Sequence, residues 1–375
     1  MPSPRATSRK RKPTAPILTW ADNTELVGLT LELKPTQELT LAPQYTTELH
    51  SWFLDQVRRI NPELSAYLHD GQSEKPFTVS SLEGGIQSQA TSLRLPANQI
   101  YQWSITALSQ PVVNWMQQWL QAPPAEVSLR SGTFQILQWT IAQPATTYTQ
   151  LLQTPIPDPL TLSLSFRSPT SFRRKGSHFP LPVPINVFQS YLRRWNDFSG
   201  EEVDQDDFLD WIDESVLVLR HELRSIKVMA GKRGSVTGFT GAVQFGLTTA
   251  AHQDTEFVQL FIALGQLAPY CGTGHKTTFG LGQTRLGWLL PDIAVEPLSI
   301  QELLAQRTAE LTALFLSQRQ RIGGNRATQT AETWATILAR REMGESLQTI
   351  AADLEMPYET VKTYIKLARR AIKPS

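Results

Sequence analysis

Residues 271–282 read Cys-Gly-Thr-Gly-His-Lys-Thr-Thr-Phe-Gly-Leu-Gly, four glycines with a histidine and a lysine in one short run. Such a run reads as a phosphate cradle, and the kind of phosphate it suits separates two fold classes. A nucleotide-binding P-loop needs Gly-Lys-Ser/Thr in succession, whereas His275 stands between Gly274 and Lys276. A P-loop also leaves a strand and opens a helix, so that the helix N-terminus faces the phosphates. Here TEFVQLFIALGQLA (255–268), a strongly apolar helix, comes before the loop, and QTRLGWLL (283–290), a strand, follows it. The ATPase reading is excluded. Gly272, Gly274, Gly280 and Gly282 instead let main-chain N–H groups approach a polynucleotide backbone, with Lys276 as a point charge and His275 as a further contact. A tight turn against a neighbouring domain is the other reading of the same glycines.

Working back from the loop, LTLSLSF (160–166) reads as a strand, PINVFQSYLRRWNDF (184–198) as a helix, and VLVLRHELRSIKVM (216–229) and VTGFTGAVQFGL (236–247) as strands. The first half has the same order. LVGLTLELK alternates as a half-buried strand, 45–60 is a helix with Leu49, Trp52, Phe53, Val57 and Ile60 on one face, and PFTVSSL and YQWSITAL are extended. VVNWMQQWL is a short helix and 127–141 one long strand. Both halves therefore read β-α-β-β-α-β, which predicts an α+β protein with two tandem ferredoxin-like (RRM-like) domains. After Pro291 the pattern becomes all-α: a long polar helix over 298–322, a linker GGNRATQT, then a helix-turn-helix-like extension, SLQTIAADL followed by PYETVKTYIKLARRAI. Ala351 suits a helix crossing, Val361 and Ile365 point inward, and Lys362, Lys366, Arg369 and Arg370 lie on the remaining surface; Glu355 occupies the turn position that often carries glycine. The expected divisions are a basic tail 1–20, domains 21–150 and 151–291, a helix and linker 292–328, and the helix-turn-helix 329–375.

The composition, 41% hydrophobic and 18% charged over 375 residues, is that of a globular protein. No apolar run is long enough to span a membrane, the N-terminus lacks a signal-peptide core, and the single cysteine forms no internal disulfide. A cytoplasmic setting without a membrane partner is expected. The net charge of +1 hides a patchy distribution. Arg5, Arg9, Lys10, Arg11 and Lys12 make the tail basic, either a solubilising extension or a nucleic-acid arm, and 201–214 is an acidic run read as an insertion or variable loop.

The segment GTGHKTTFGLGQTRLG resembles the C-terminal glycine-rich signature of the RAMP-superfamily endoribonucleases that process CRISPR precursor RNA, the sixth Cas family. LHDGQSEKPFTVSSL (68–82), SPTSFRRKGSHFPLPVPINVFQSYLRRWNDF (168–198) and VTGFTGAVQF (236–245) resemble further segments of that family in the same order. The resemblance implies two ferredoxin-like domains and metal-independent cleavage of CRISPR repeat RNA, with no cofactor. Repeat RNA is the implied partner and a CRISPR effector complex a candidate one. The extension after Pro291 departs from the family pattern, and holding RNA, docking a partner and binding DNA all stay open for it. A non-catalytic repeat-binding subunit and a DNA-binding regulator are the competing functions.

Metal-free cleavage needs a base for the ribose 2′-hydroxyl, an acid for the leaving 5′-oxygen and a cation for the phosphorane. Among six histidines, His50 sits at the margin of the first helix's apolar stripe, where a cleft shields yet exposes an imidazole. The resemblance also places a catalytic histidine on this helix. Tyr45 either orients substrate and assists proton transfer or packs on the core. The family's lysine shortly after this histidine has no counterpart on the helix, leaving Arg58 or Arg59 for the phosphorane. His69 is the rival imidazole, read as a loop residue; His178, His221 and His252 are structural or exposed, and the spacing offers no metal site. Arg173, Arg174 and Lys175 form a basic turn flanked by Phe172 and Phe179, either an RNA contact with stacking platforms or a solvated hairpin tip. Arg193 and Arg194 read as the outer face of a helix.

Overall fold

The structure, a computed structural model, describes residues 19–69, 74–88, 92–229, 235–290, 300–317, 325–342 and 345–372. The basic residues of the tail lie outside the described residues. The chain forms two compact units, residues 1–290 and 291–375.

In the first half of the larger unit the elements are β1 (Leu26–Pro35), β2 (Leu39–Leu41), α1 (Tyr45–Ile60), α2 (Pro62–His69), β3 (Phe77–Val79), β4 (Gln87–Ser88), β5 (Leu93–Leu95), β6 (Tyr101–Ala107), α3 (Gln110–Trp119), β7 (Glu126–Leu129), β8 (Gly132–Thr146) and α4 (Tyr148–Leu152). The main sheet is antiparallel in the order β3-β6-β1-β8-β7. Without its edge strand β7, this is the strand arrangement of a ferredoxin-like βαββαβ unit. The expected single strand over 127–141 is corrected to a hairpin, β7 and β8 turning at Arg130–Ser131. Val27, Leu29, Leu31 and Leu33 alternate onto the face covered by α1 and α3, in one core with Phe53, Trp103 and Trp115. The opposite face carries small hydroxyls, Thr30, Thr78, Ser104 and Thr106.

The second half repeats the order with β9 (Thr161–Thr170), β10 (Phe172–Arg174), β11 (Ser177–Phe179), α5 (Pro184–Phe198), α6 (Gln205–Ser215), β12 (Val216–Met229), β13 (Ser235–Leu247), α7 (Thr255–Cys271) and β14 (Thr284–Leu286). Its main sheet runs β12-β13-β9-β14. The acidic run is corrected from a variable loop to α6: Asp204 caps its N-terminus and Phe208, Leu209 and Ile212 enter the core, while the carboxylates line the outer face. The boundary expected at 150/151 falls inside α4.

The hydroxyl face of the first sheet is covered by the end of α7. Thr78 and Thr106 donate to the Tyr270 carbonyl, and the Tyr270 hydroxyl donates to the Pro144 carbonyl at 2.7 Å. Past this joint the chain runs straight into the glycine loop.

The smaller unit contains α8 (Ile300–Ser317), α9 (Asn325–Glu342), α10 (Leu347–Asp353) and α11 (Tyr358–Ile372). The linker reading of 323–330 is corrected from Asn325 onward, where α9 begins, and the boundary expected at 328/329 lies within that helix. Ile337, Ile350, Ala351, Val361 and Ile365 form a small core joining α9, α10 and α11. Glu355, in the turn between α10 and α11, adopts φ 51°, the left-handed conformation that glycine usually supplies.

Candidate active site

Helix α1 forms because its apolar residues recur at helical spacing, and this stripe anchors it on the first sheet. His50 lies beside that stripe, half-buried, its ring stacked on Phe279 of the glycine loop at 4.2 Å and facing Phe77 at 5.8 Å. Its Nδ1 lies 3.0 Å from the Thr278 carbonyl oxygen. A carbonyl only accepts, so Nδ1 holds the proton and the lone pair belongs to Nε2. Burial pushes the imidazole down to about 4, opposed by the Thr278 hydrogen bond and reinforced by the charges of His69 and Lys75. His50 is thus a neutral, oriented acceptor at physiological pH.

The glycine loop makes this orientation possible. Gly272, Gly274, Gly280 and Gly282 all have positive φ, between 65° and 79°. A Cβ on Gly274 would stand 2.3 Å from the Ser171 carbonyl oxygen, and one on Gly282 2.1 Å from that of Thr273. The main-chain amides of the glycines and of His275 are committed to the protein: Gly272 donates to Ala268, Gly274 to the Ser190 hydroxyl, His275 to Ser171, Gly280 to Val79 and Gly282 to Pro169. The expectation that these glycines offer N–H groups to a phosphate is corrected. Their role is close approach, which threads the loop between the two halves and delivers Thr278 and Phe279 to His50.

His50 opens onto a groove of about 870 Å³ lined also by Ser51, Arg58, His69, Lys75 and Phe279. His69, read as a loop residue, is the exposed last residue of α2. Arg58 and Arg59 are both tied to Asp55. Lys75 was missed by the sequence reading, which sought a lysine on α1 itself. Its Nζ is buried and, among the described residues, has no hydrogen-bond partner. An ammonium desolvated without a partner is held at a cost, and an anion at the groove mouth relieves that cost. Tyr45 is corrected: it is 5% exposed, its hydroxyl accepts from the Leu82 N–H at 3.0 Å, and burial pushes the phenol up to about 12. It fixes the segment after β3.

Lys75 also lines a second groove with Arg193, Gly274, His275, Lys276 and Thr277. Arg194 is corrected from an outer-face residue to a buried rivet, 3% exposed. It donates to the carbonyls of Ser190 at 2.7 Å and Gly274 at 2.8 Å and pairs with Glu74 at 3.4 Å, next to Lys75. His275 donates from Nδ1 to the Ser171 carbonyl at 2.7 Å and stacks on His178; burial pushes it down to about 4. Lys276, itself left-handed at φ 61°, is pushed down by burial and by nearby Arg173. Arg173, Arg174 and Lys175 stand exposed on the β10–β11 hairpin, whose turn has positive φ at Lys175 and Gly176. Of the expected stacking platforms, Phe172 is corrected to a core residue, and Phe179 is covered by the Arg174 guanidinium at 5.3 Å.

Two family models match this chain: the CRISPR Cas6 N-terminal domain over residues 27–128, and CRISPR-associated endoribonuclease Cas6 over residues 164–284. Together they span more than half of it and contain α1, α5 and the glycine loop. The chain belongs to the Cas6 family. The Cas6 endoribonuclease of Streptococcus thermophilus is 25% identical over 125 residues, 33% of this chain and 49% of that protein. That of Mycobacterium tuberculosis (strain ATCC 25618 / H37Rv) is 29% identical over 136 residues, 36% of this chain and 41% of that protein. The match thus spans less than half the length of either curated relative. A solved Cas6 product complex is 27% identical, with a TM-score of 0.54 over 70% of this chain and 99% of that one. A Cas6 substrate mimic complex is 26% identical, with a TM-score of 0.53 over 70% and 99%. Thermus thermophilus Cas6, at 24% identity, TM-score 0.53 and the same coverage, shares the fold. The unit from Pro291 onward lies beyond both Cas6 family models.

Proposed function

We propose that this protein is an endoribonuclease that cuts CRISPR precursor RNA within its repeats, using the ribose 2′-hydroxyl as nucleophile and no metal ion. His50 Nε2 takes the 2′-hydroxyl proton; the oxygen attacks the adjacent phosphorus, and the 5′-oxygen leaves. The products are a 2′,3′-cyclic phosphate and a 5′-hydroxyl. Lys75 carries the phosphorane charge, and His69, on the same groove, returns a proton to the leaving oxygen. Arg193, Lys276 and the hairpin cations Arg173, Arg174 and Lys175 hold the flanking backbone. A cytoplasmic setting suits the lone cysteine, Cys271, which is buried and free of any disulfide.

The observation that carries this reading is the Thr278 hydrogen bond to His50, which fixes the base-competent tautomer on the groove of Lys75, whose buried Nζ has no hydrogen-bond partner among the described residues. The relatives' Cas6 assignments support the substrate class. The test is single-turnover cleavage of a repeat transcript in EDTA by wild type and His50→Ala. The reading expects metal-free cleavage that His50→Ala loses while RNA binding persists. Wild type that binds repeats without cutting them would return the assignment to a binding subunit.

A further inference from the structure

The smaller unit has a charged surface that the groove residues assigned to cleavage do not include. Helix α11 buries Val361, Ile365 and Ala368 and exposes Lys362, Lys366, Arg369 and Arg370 against a single acid of its own, Glu359. Spaced at i, i+4, i+7 and i+8, these cations lie on one side of the helix. Their neutralisation within the unit is slight. Lys362 reaches Glu359 at 3.5 Å, and among the described residues no carboxylate pairs with Lys366, Arg369 or Arg370. Of the nearby acids, Glu345 and Asp353 are engaged by Arg340 and Glu342 by Arg307, while Glu332 and Glu355 make no ion pair among the described residues. Among its described residues the unit therefore concentrates positive charge with little carboxylate pairing on one exposed helix.

That helix is also the protruding member of a helix-turn-helix. Ser346 caps α10 by accepting from the Thr349 N–H at 3.1 Å, the Met356 N–H closes the turn onto the Ala351 carbonyl at 2.9 Å, and Glu355 supplies the left-handed residue. The core of Ile337, Ile350, Ala351, Val361 and Ile365 locks α11 across α9 and α10 with its far side outward. Near its start, exposed Tyr358, Glu359, Lys362 and Thr363 present donors and acceptors.

We propose that the C-terminal unit binds double-stranded DNA, with α11 in the major groove. The first turns of α11 meet base edges, and Lys366, Arg369 and Arg370 meet phosphates. Groove dimensions favour DNA over RNA as the duplex: the B-form major groove is about 12 Å wide and admits a helix, whereas the A-form groove is too deep and narrow for side chains to read. The proposal is independent of the cleavage reading, because it uses a separate compact unit and none of the groove residues.

The experiment uses the full chain and a fluorescent DNA duplex of randomised sequence, about three helical turns long, with the same sequence as duplex RNA for comparison. Wild type is expected to bind the DNA through α11, whereas any binding of the duplex RNA is expected to rest on the larger unit and to be insensitive to α11. The triple variant Lys366→Ala/Arg369→Ala/Arg370→Ala is expected to lose at least about tenfold in DNA affinity and to flatten the log–log salt dependence by about 2–3. Cleavage of repeat RNA and the thermal transition should stay at wild-type values. A second variant, Thr363→Glu, adds a single negative charge to the same exposed face and is expected to weaken DNA binding without disturbing the fold. Unchanged DNA binding in both variants, no binding of duplex DNA by wild type, or an equal loss of duplex-RNA and DNA affinity in the triple variant would each overturn the proposal.

Discussion

A histidine used as a base is useful only in its neutral form, and burial against Phe279 and Phe77 keeps His50 neutral down to about pH 4. The acid limb of kcat/KM, which reports the free enzyme, should therefore fall near pH 4 rather than near 6.5. His50→Ala should reduce the cleavage rate by about 10²–10⁴-fold. Lys75→Met should cost about 10²–10³-fold in kcat with a smaller effect on binding, and Lys75→Arg should recover part of the loss. An unchanged kcat in Lys75→Met would remove the ammonium from the chemistry. The same depressed histidines bear on stability. In the window from about 6.5 down to about 4, the unfolded chain takes up protons at His50 and His275 that the folded chain refuses. The unfolded state then binds more protons, so stability is full above about 6.5 and is lost as pH falls through that window. Urea unfolding across this range should show it, and His275→Gln should flatten the dependence. The position of His50 was legible from the apolar stripe of α1; its tautomer was not, because Thr278 lies 228 residues away.

At the scale of elements, the glycine loop and the Arg194 rivet hold the two halves in register. Gly274→Ala meets both a left-handed φ and a 2.3 Å approach to the Ser171 carbonyl, and should destabilise the protein by about 2–4 kcal/mol in chemical denaturation. Cleavage should fall with it, since the loop carries Thr278. Arg194→Ala leaves the Gly274 and Ser190 carbonyls without their buried donor, while Glu74 keeps Arg193 at 3.3 Å, for an expected loss of about 1–3 kcal/mol. A variant of wild-type stability would show that the rivet carries nothing. Local periodicity made α1 and α5 legible, because each satisfies its pattern within its own residues. The acidic helix α6 was obscured by its carboxylates, which outnumber the three apolar residues it buries, Phe208, Leu209 and Ile212. Arg194 looked like surface because its partners, Glu74 and Gly274, come from distant parts of the chain.

For the molecule as a whole, the repeated β-α-β-β-α-β order was written in the hydrophobic pattern, and both sheets follow it with the added edge strand β7 in the first. What that order could not show was which face of the first sheet the second half would cover, and hence where segment 74–75 would come to rest beside α1. Lys75 is 25 residues beyond His50 in sequence, and only the closed fold puts the two in one groove. Of the two readings the glycines allow, the close turn between halves is the one their main-chain hydrogen bonds and positive φ support. RNA binding should remain strongly salt-dependent through the cations that line the grooves and the hairpin. The most direct test of the cleavage chemistry replaces the nucleotide on the 5′ side of the scissile phosphate with its 2′-deoxy counterpart in a cognate repeat RNA. The account predicts unaltered binding and no cleavage at that bond in EDTA; cleavage of the deoxy substrate would contradict it.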